Sequence, residues 1–194
     1  LSEQGEAQVN VDFGDHQVAV SIMDIVLGMR ARGLHMPAVL RIRNLLDHRI
    51  KTINESFAQA IKQGGYQNTY RGVFPIKVNQ QCHVIEEIAD YGRRYHHGFE
   101  AGSKAELIIA MAQLQHSEGL IICNGYKDAE FIDLGLYARQ LGINYFFEAE
   151  TLSEIPIIIE RSRALNVEPL IGVRIKTTVA VDGYWSQDSG DRSI

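Results

Sequence analysis

From residue 70 onward, short apolar runs alternate with longer amphipathic stretches, and the unit recurs about every 22 to 26 residues. Residues 70–78 predict a strand, followed by a helix over about 80–91. The next strand is expected at 97–101, with a helix opening at Ser103. Residues 120–123 follow with a helix after Gly125, residues 143–148 with a helix after Thr151, and residues 169–175 as the fifth strand. Each strand is apolar on both faces and each helix on one, the pattern of parallel strands covered by helices. Two of the helix starts, Ser103-Lys104-Ala105-Glu106 and Thr151-Leu152-Ser153-Glu154, have the S/T-x-x-E form of a capping box. Right-handed βα units in series build either an open doubly wound sheet or a TIM-type barrel. Neither G-x-G-x-x-G nor G-x-x-x-x-G-K-[ST] occurs, so no nucleotide fingerprint speaks for the open sheet. The fold class expected is α/β, parallel βα repeats of a TIM-type (β/α)8 barrel.

Upstream, residues 1–20 hold short alternating stretches (Val9, Val11, Phe13, then Val18, Val20) that suggest one or two strands without an evident partner. Ser21 can cap a helix that runs to about Arg32 and stops at Gly33. A short apolar run, 38–42, and a long amphipathic helix over 44–63 then lead to Gly64-Gly65. The expected division is residues 1–36 as an N-terminal segment and 37–194 as a partial barrel.

Composition narrows the partners. The chain is 45% hydrophobic and 22% charged, and 24 acidic against 19 basic residues give a net charge of -5, so no basic field exists to gather nucleic acid. No apolar run approaches the roughly 20 residues of a bilayer-spanning helix. Two cysteines, Cys82 and Cys123, cannot make a disulfide framework and suit a reducing, cytoplasmic setting. No His/Cys pair has metal-ligand spacing, and both cysteines read as small buried or half-buried side chains. Nothing in the sequence places His83, His96 or His97 at a site.

In parallel α/β folds chemistry sits at the carboxyl ends of the strands. Lys77, Glu100, Asn124, Glu148 and Arg174 stand there. For Asn124 and Glu148 the simpler reading is that loops begin with polar residues, and for Arg174 it is an ion pair. Alternation places Val73, Pro75 and Lys77 on one face and Phe74, Ile76 and Val78 on the other, leaving an amine at a barrel mouth. Desolvation there lowers an amine's pKa and prepares it to attack a carbonyl.

The segment Val73-Phe74-Pro75-Ile76-Lys77-Val78-Asn79-Gln80-Gln81 resembles the pyridoxal-lysine segment of the biosynthetic arginine decarboxylases, PLP enzymes of the alanine racemase-like barrel class. Gly98-Phe99-Glu100-Ala101-Gly102-Ser103, Ile122-Cys123-Asn124-Gly125-Tyr126-Lys127-Asp128, Gly172-Val173-Arg174 and, upstream, Gly33-Leu34-His35-Met36-Pro37 carry the same resemblance in order. It implies that Lys77 holds PLP as a Schiff base, that Arg174 lies near the cofactor's phenolic oxygen and that Glu100 stands beside the lysine. Glu106 matches a further acidic position, which its capping box already explains. The implied reaction turns L-arginine into agmatine and CO2 on a route to putrescine and spermidine, with Mg2+ a family expectation and a homo-oligomer whose second subunit completes the site. A PLP decarboxylase or racemase of another basic amino acid, or a non-catalytic regulatory homologue, are the alternatives.

The family's later strands, its ring-stacking histidine, the carboxylate facing the pyridine nitrogen, the glycine-rich phosphate loops and a C-terminal β-domain have no counterpart here. With Leu1 in place of a Met and an end at Ser193-Ile194, the expectation is the first part of a longer enzyme, inactive by itself. The stretch 176–193, with Tyr184, Trp185, Asp182 and Asp188, is expected to be a substrate lid whose acids attract a guanidinium.

Overall fold

The computed structural model describes residues 2, 5–13, 16–115 and 117–175. The expected lid, 176–193, lies outside the described residues.

The chain opens with a hairpin. Strands β1 (Gln8–Asp12) and β2 (Gln17–Ser21) pair antiparallel with each other, which supplies the partner the sequence left open. Ser21 caps helix α1 (Ile22–Ala31), its hydroxyl accepting the amide of Asp24 at 3.3 Å. Gly33, at φ +77°, ends the helix while the amide of Leu34 reaches back to the Met29 carbonyl. The apolar run 38–42 forms no regular element, and Val39 and Leu40 are exposed. Helix α2 (Arg43–Gly64) closes on Gly65 in the left-handed region and is tied to the following helix by an Arg43–Glu87 ion pair.

The remaining elements are β3 (Val73–Pro75), α3 (Cys82–Gly92), β4 (Gly98–Ala101), α4 (Lys104–Gln113), β5 (Leu120–Cys123), α5 (Ala129–Gln140), β6 (Asn144–Ala149), α6 (Glu154–Leu165) and β7 (Leu170–Val173). The five strands form one parallel sheet in the order β3-β4-β5-β6-β7, each beside its sequence neighbour. This is the winding of a TIM-type barrel, in which a closed sheet takes eight strands. Among the described residues the sheet is open, with β3 and β7 at its edges.

Only one face of the sheet is sealed. Phe99, Ile121, Cys123, Tyr145 and Phe147 point to the helices and are fully buried against Ile88, Leu107, Ile132, Leu136 and Ile158. Each of the buried Phe, Ile and Leu side chains contributes about 1.5–3 kcal/mol. The opposite face, in register along Pro75, Glu100, Ile122, Phe146 and Leu170, is half-buried apart from Glu100. Apart from Glu100 the inner face is apolar too, as expected, and the alternation along β5 and β6 is strict, helix side buried and inner side half-open.

Two local expectations fail for identifiable reasons. The strand predicted over 70–78 is ordered as a strand only over Val73–Pro75, and residues Ile76–Val78 turn through one 3-10 step. That turn breaks the period of two, so Ile76 is buried whereas Val78 is 68% exposed instead of facing the helices. Cys82, expected to be buried or half-buried, is exposed at the start of α3. Cys123 is buried as expected, and burial pushes its thiol up to about 11.

His97, at the amino end of β4, fills the space left by two glycines: a Cβ at Gly72 would lie 2.5 Å from its Cε1, and one at Gly92 2.8 Å from its Cβ. Burial lowers its pKa, and its Nδ1 has no hydrogen-bond partner among the described residues. The unfolded chain therefore takes up a proton near the ordinary imidazole value of about 6.5, and the folded one only at a lower pH. Stability is complete above that pH and is lost as pH falls below it. Denaturation midpoints measured from pH 8 to pH 5 should drop, and His97→Gln should flatten that slope.

Candidate functional site

The carboxyl ends of the five strands carry one continuous chain of polar contacts. The turn after β3 brings Lys77 forward, and the Pro75–Glu100 register sets the Glu100 side chain next to it. Lys77 Nζ lies 3.7 Å from Glu100 Oε1. The lysine side chain is 64% exposed and the glutamate 6%, so the desolvation expected at Lys77 falls on its partner instead. A carboxylate withdrawn from water is stable only with donors about it.

Glu100 Oε1 receives one from Asn124, whose Nδ2 donates at 3.0 Å. The reading of Asn124 as a mere loop residue is thereby corrected. Glu100 Oε2 and Asn124 Oδ1 are buried without a partner among the described residues. Two buried acceptors thus stand open beside an amine.

Gly125 takes the chain onward. At φ +79° it occupies the left-handed region, and a Cβ there would meet the Gly102 carbonyl oxygen at 3.0 Å, so glycine is required on both counts. Its amide donates to Glu150 Oε1 at 2.8 Å. Arg174 Nη1 donates to the same oxygen at 3.3 Å, and its backbone amide to the Ala149 carbonyl. Arg174, placed one residue beyond β7 and 47% exposed, thus has the ion pair that the simpler reading foresaw, at the rim of the same arc. The contacts run Lys77, Glu100, Asn124-Gly125, Glu150, Arg174, so all three predicted site residues belong to one network.

The neighbouring helix starts differ from each other. Ser103 Oγ accepts the Glu106 amide at 3.3 Å, while Glu106 Oε2 accepts the amide of Gly102, one residue ahead of the usual box, at 2.9 Å. Glu106 is thereby used as a cap, as expected. The second box does not form: Ser153, not Thr151, precedes α6, and no side chain caps it. Glu154 has turned inward to Lys127. Lys127 and Glu154 are fully and almost fully buried and meet at 3.5 Å, and Lys127 Nζ also donates to the carbonyls of Gly125 and Glu148. Sequence reasoning missed this pair and Glu150. Lys127 stood inside a motif already singled out, but nothing local marks a lysine for complete burial. Of the histidines, His96 pairs with Glu118 and His97 lies at the opposite end of β4, away from the arc. Among the described residues no group of three or more His, Cys, Asp or Glu is placed to hold a metal ion, and no helix is long and apolar enough to cross a membrane.

Known proteins share this sequence and fold. Residues 50–192 match the family described as "Pyridoxal-dependent decarboxylase, pyridoxal binding domain". The biosynthetic arginine decarboxylase of Gloeobacter violaceus is 43% identical over 193 residues, covering 100% of this chain and 30% of that protein. That of a Synechococcus species is 43% identical over 180 residues, covering 93% and 28%. Among solved structures, the biosynthetic arginine decarboxylase of Campylobacter jejuni superposes with a TM-score of 0.76 at 32% identity, over 91% of this chain and 30% of that one. A diaminopimelate decarboxylase from M. jannaschi, at 22% identity and a TM-score of 0.52, shares the fold. The chain thus spans about 30% of the length of the curated relatives it matches. With nearly three quarters of its residues inside that match and a lysine–carboxylate pair at the strand ends, the chain belongs to the pyridoxal-dependent decarboxylases, through their pyridoxal binding domain.

Proposed function

We propose that residues 37–194 are the PLP-anchoring part of an arginine decarboxylase, with residues 1–36 an appended segment. The observation that carries the reading is Lys77 Nζ at 3.7 Å from the buried Glu100 carboxylate, at the head of a contact chain that ends at Arg174. The residues fit the cofactor: an amine for covalent attachment, a carboxylate beside it with one oxygen still unpaired, and a guanidinium at the rim. Lys77 is the attachment point, and Glu100 and Arg174 are the residues that would hold the group. When bound, PLP supplies an electron sink for the pair released as CO2 leaves the α-carbon.

Each side chain has a definable task. Glu100 orients Lys77 and holds the proton on Nζ until the amine is needed unprotonated. Asn124 fixes which Glu100 oxygen faces the lysine, leaving Oε2 to accept from an incoming donor. Glu150 restrains Arg174, so the guanidinium meets a ligand without first losing rotamer freedom.

The substrate reading rests on the relatives' names and on the motifs around Lys77 and Asn124. L-Arginine is converted to agmatine and CO2, a proton taking the place of the carboxylate, as a step toward polyamines. The protein is read as a cytoplasmic homo-oligomer in which a second subunit completes the site; two free cysteines support the compartment. The described residues offer no ligand set to the Mg2+ expected from the resemblance, and no step is assigned to it.

Release of CO2 by the complete enzyme, measured across arginine, ornithine, lysine and diaminopimelate, tests the substrate. Arginine should give a kcat/KM at least tenfold above the others. A higher value for another amino acid would replace the substrate and keep the chemistry. Failure to bind PLP at all would leave the regulatory homologue.

A further inference from the structure

We propose that Lys127 is a positioning residue for the PLP site: by tying the β5–α5 turn to the β6–α6 turn, it sets Glu150 where it holds Arg174. The inference rests on the PLP reading above.

A fully buried ammonium is tolerated only if its three protons find acceptors and its charge a counter-ion. Lys127 has both. Its Nζ donates to the Gly125 carbonyl at 2.6 Å and the Glu148 carbonyl at 2.5 Å, and lies 3.5 Å from Glu154 Oε2. Glu154 uses its remaining capacity on backbone, Oε1 accepting the amide of Lys127 and Oε2 the amide of Glu150, each at 2.9 Å. These contacts bridge separate βα units.

The consequence appears at the rim. Glu150 is held at its amide by Glu154 and presents Oε1 to the Gly125 amide and to Arg174. Gly125 is held at its carbonyl by Lys127. Both sides of the Gly125–Glu150 contact are therefore fixed by one buried ion pair, and Arg174 takes its position from that contact. An apolar pair of similar volume stabilises a fold as well as a buried ion pair does. What it lacks is hydrogen bonds aimed at two carbonyls on different turns, which is the property a positioning device needs.

Three variants of the complete enzyme separate positioning from stability: K127M, K127M/E154L, and E150Q, which removes the charge that pairs with Arg174 without touching the buried pair. Thermal midpoint, amide exchange at Gly125 and Glu150 in the PLP-free protein, and PLP affinity by absorbance titration are read for each. K127M should lower the midpoint, speed exchange at both amides at least tenfold and weaken PLP binding at least tenfold. The double variant should regain most of the midpoint, since no lone charge stays buried, while exchange remains fast and PLP binding weak. E150Q should keep the midpoint and weaken PLP binding. PLP affinity that returns with the midpoint in the double variant would reduce Lys127 to a structural role and overturn the proposal, as would unchanged affinity in E150Q. If the unmutated protein binds no PLP, the PLP reading fails instead, and the exchange measurements still decide whether Lys127 governs Glu150.

Discussion

Replacing Lys77 by alanine in the complete enzyme should abolish retention of PLP and reduce decarboxylation by on the order of a thousandfold to a millionfold, the scale of losing a covalent nucleophile. The expectation follows from position. Lys77 is the amine on the arc, and Glu100 beside it is 6% exposed with one oxygen unpaired among the described residues. Borohydride treatment of the unmutated protein with PLP, followed by peptide mass analysis, should place the pyridoxyl label on Lys77 and on no other lysine. Lys127 has no exposed side-chain surface and three acceptors already engaged, and Lys104 is paired with Asp128 and Glu130. Glu100→Gln makes the sharper comparison. The amide is nearly isosteric and its oxygen can still accept from Asn124, but the charge that orients Lys77 is gone. Labelling of Lys77 should persist while kcat falls about a hundredfold, the usual scale for a group that manages a proton. A Glu100→Gln protein with unchanged kcat would remove Glu100 from the mechanism, and label on a lysine other than Lys77 would displace the site itself.

The largest effect on stability should come from Gly98→Ala. A Cβ at residue 98 would stand 1.9 Å from the carbonyl oxygen of Leu120 and 2.5 Å from its amide nitrogen. Both are backbone atoms of β5, the neighbouring strand, so no side-chain rotation relieves the overlap. The strands must separate, and β4 lies between β3 and β5 with Phe99 and Ala101 fully buried. Ordinary overpacking costs about 1–3 kcal/mol because side chains adjust. Here the backbone must move, and a loss above about 3 kcal/mol is expected in urea denaturation. A loss below about 1 kcal/mol would mean that the two strands part without disturbing the core. Because the β3–β4 register also sets Glu100 beside Lys77, the same substitution should weaken PLP retention.

The five strands and their helices were legible because each rests on a local signal, a short apolar run or a helical period set off by glycine and a cap. Ser103 shows how far such signals reach, since hydroxyl, helix start and Glu106 lie within four residues of one another. Thr151 shows where they stop. Its motif is as good in sequence, yet Glu154 bonds to Lys127, 27 residues away, and leaves the box unmade. A capping bond between exposed groups contributes about 1 kcal/mol, whereas a buried ammonium left without its carboxylate costs several, so the distant partner wins.

The same division runs through the site. That Lys77, Glu100 and Arg174 follow strands could be read from their positions, and the motif around Lys77 marked it as the reactive amine. The sequence by itself determined the order of elements, the parallel winding and the residue types at the strand ends. Tertiary structure decided that Asn124 donates to Glu100, that Glu150 links Gly125 to Arg174, and that Lys127 rather than Lys77 is the buried lysine. Those contacts join residues 24 to 27 positions apart, brought together by strand register. Register is fixed when apolar faces are buried jointly, and only then is it settled which charges lose water and must find one another.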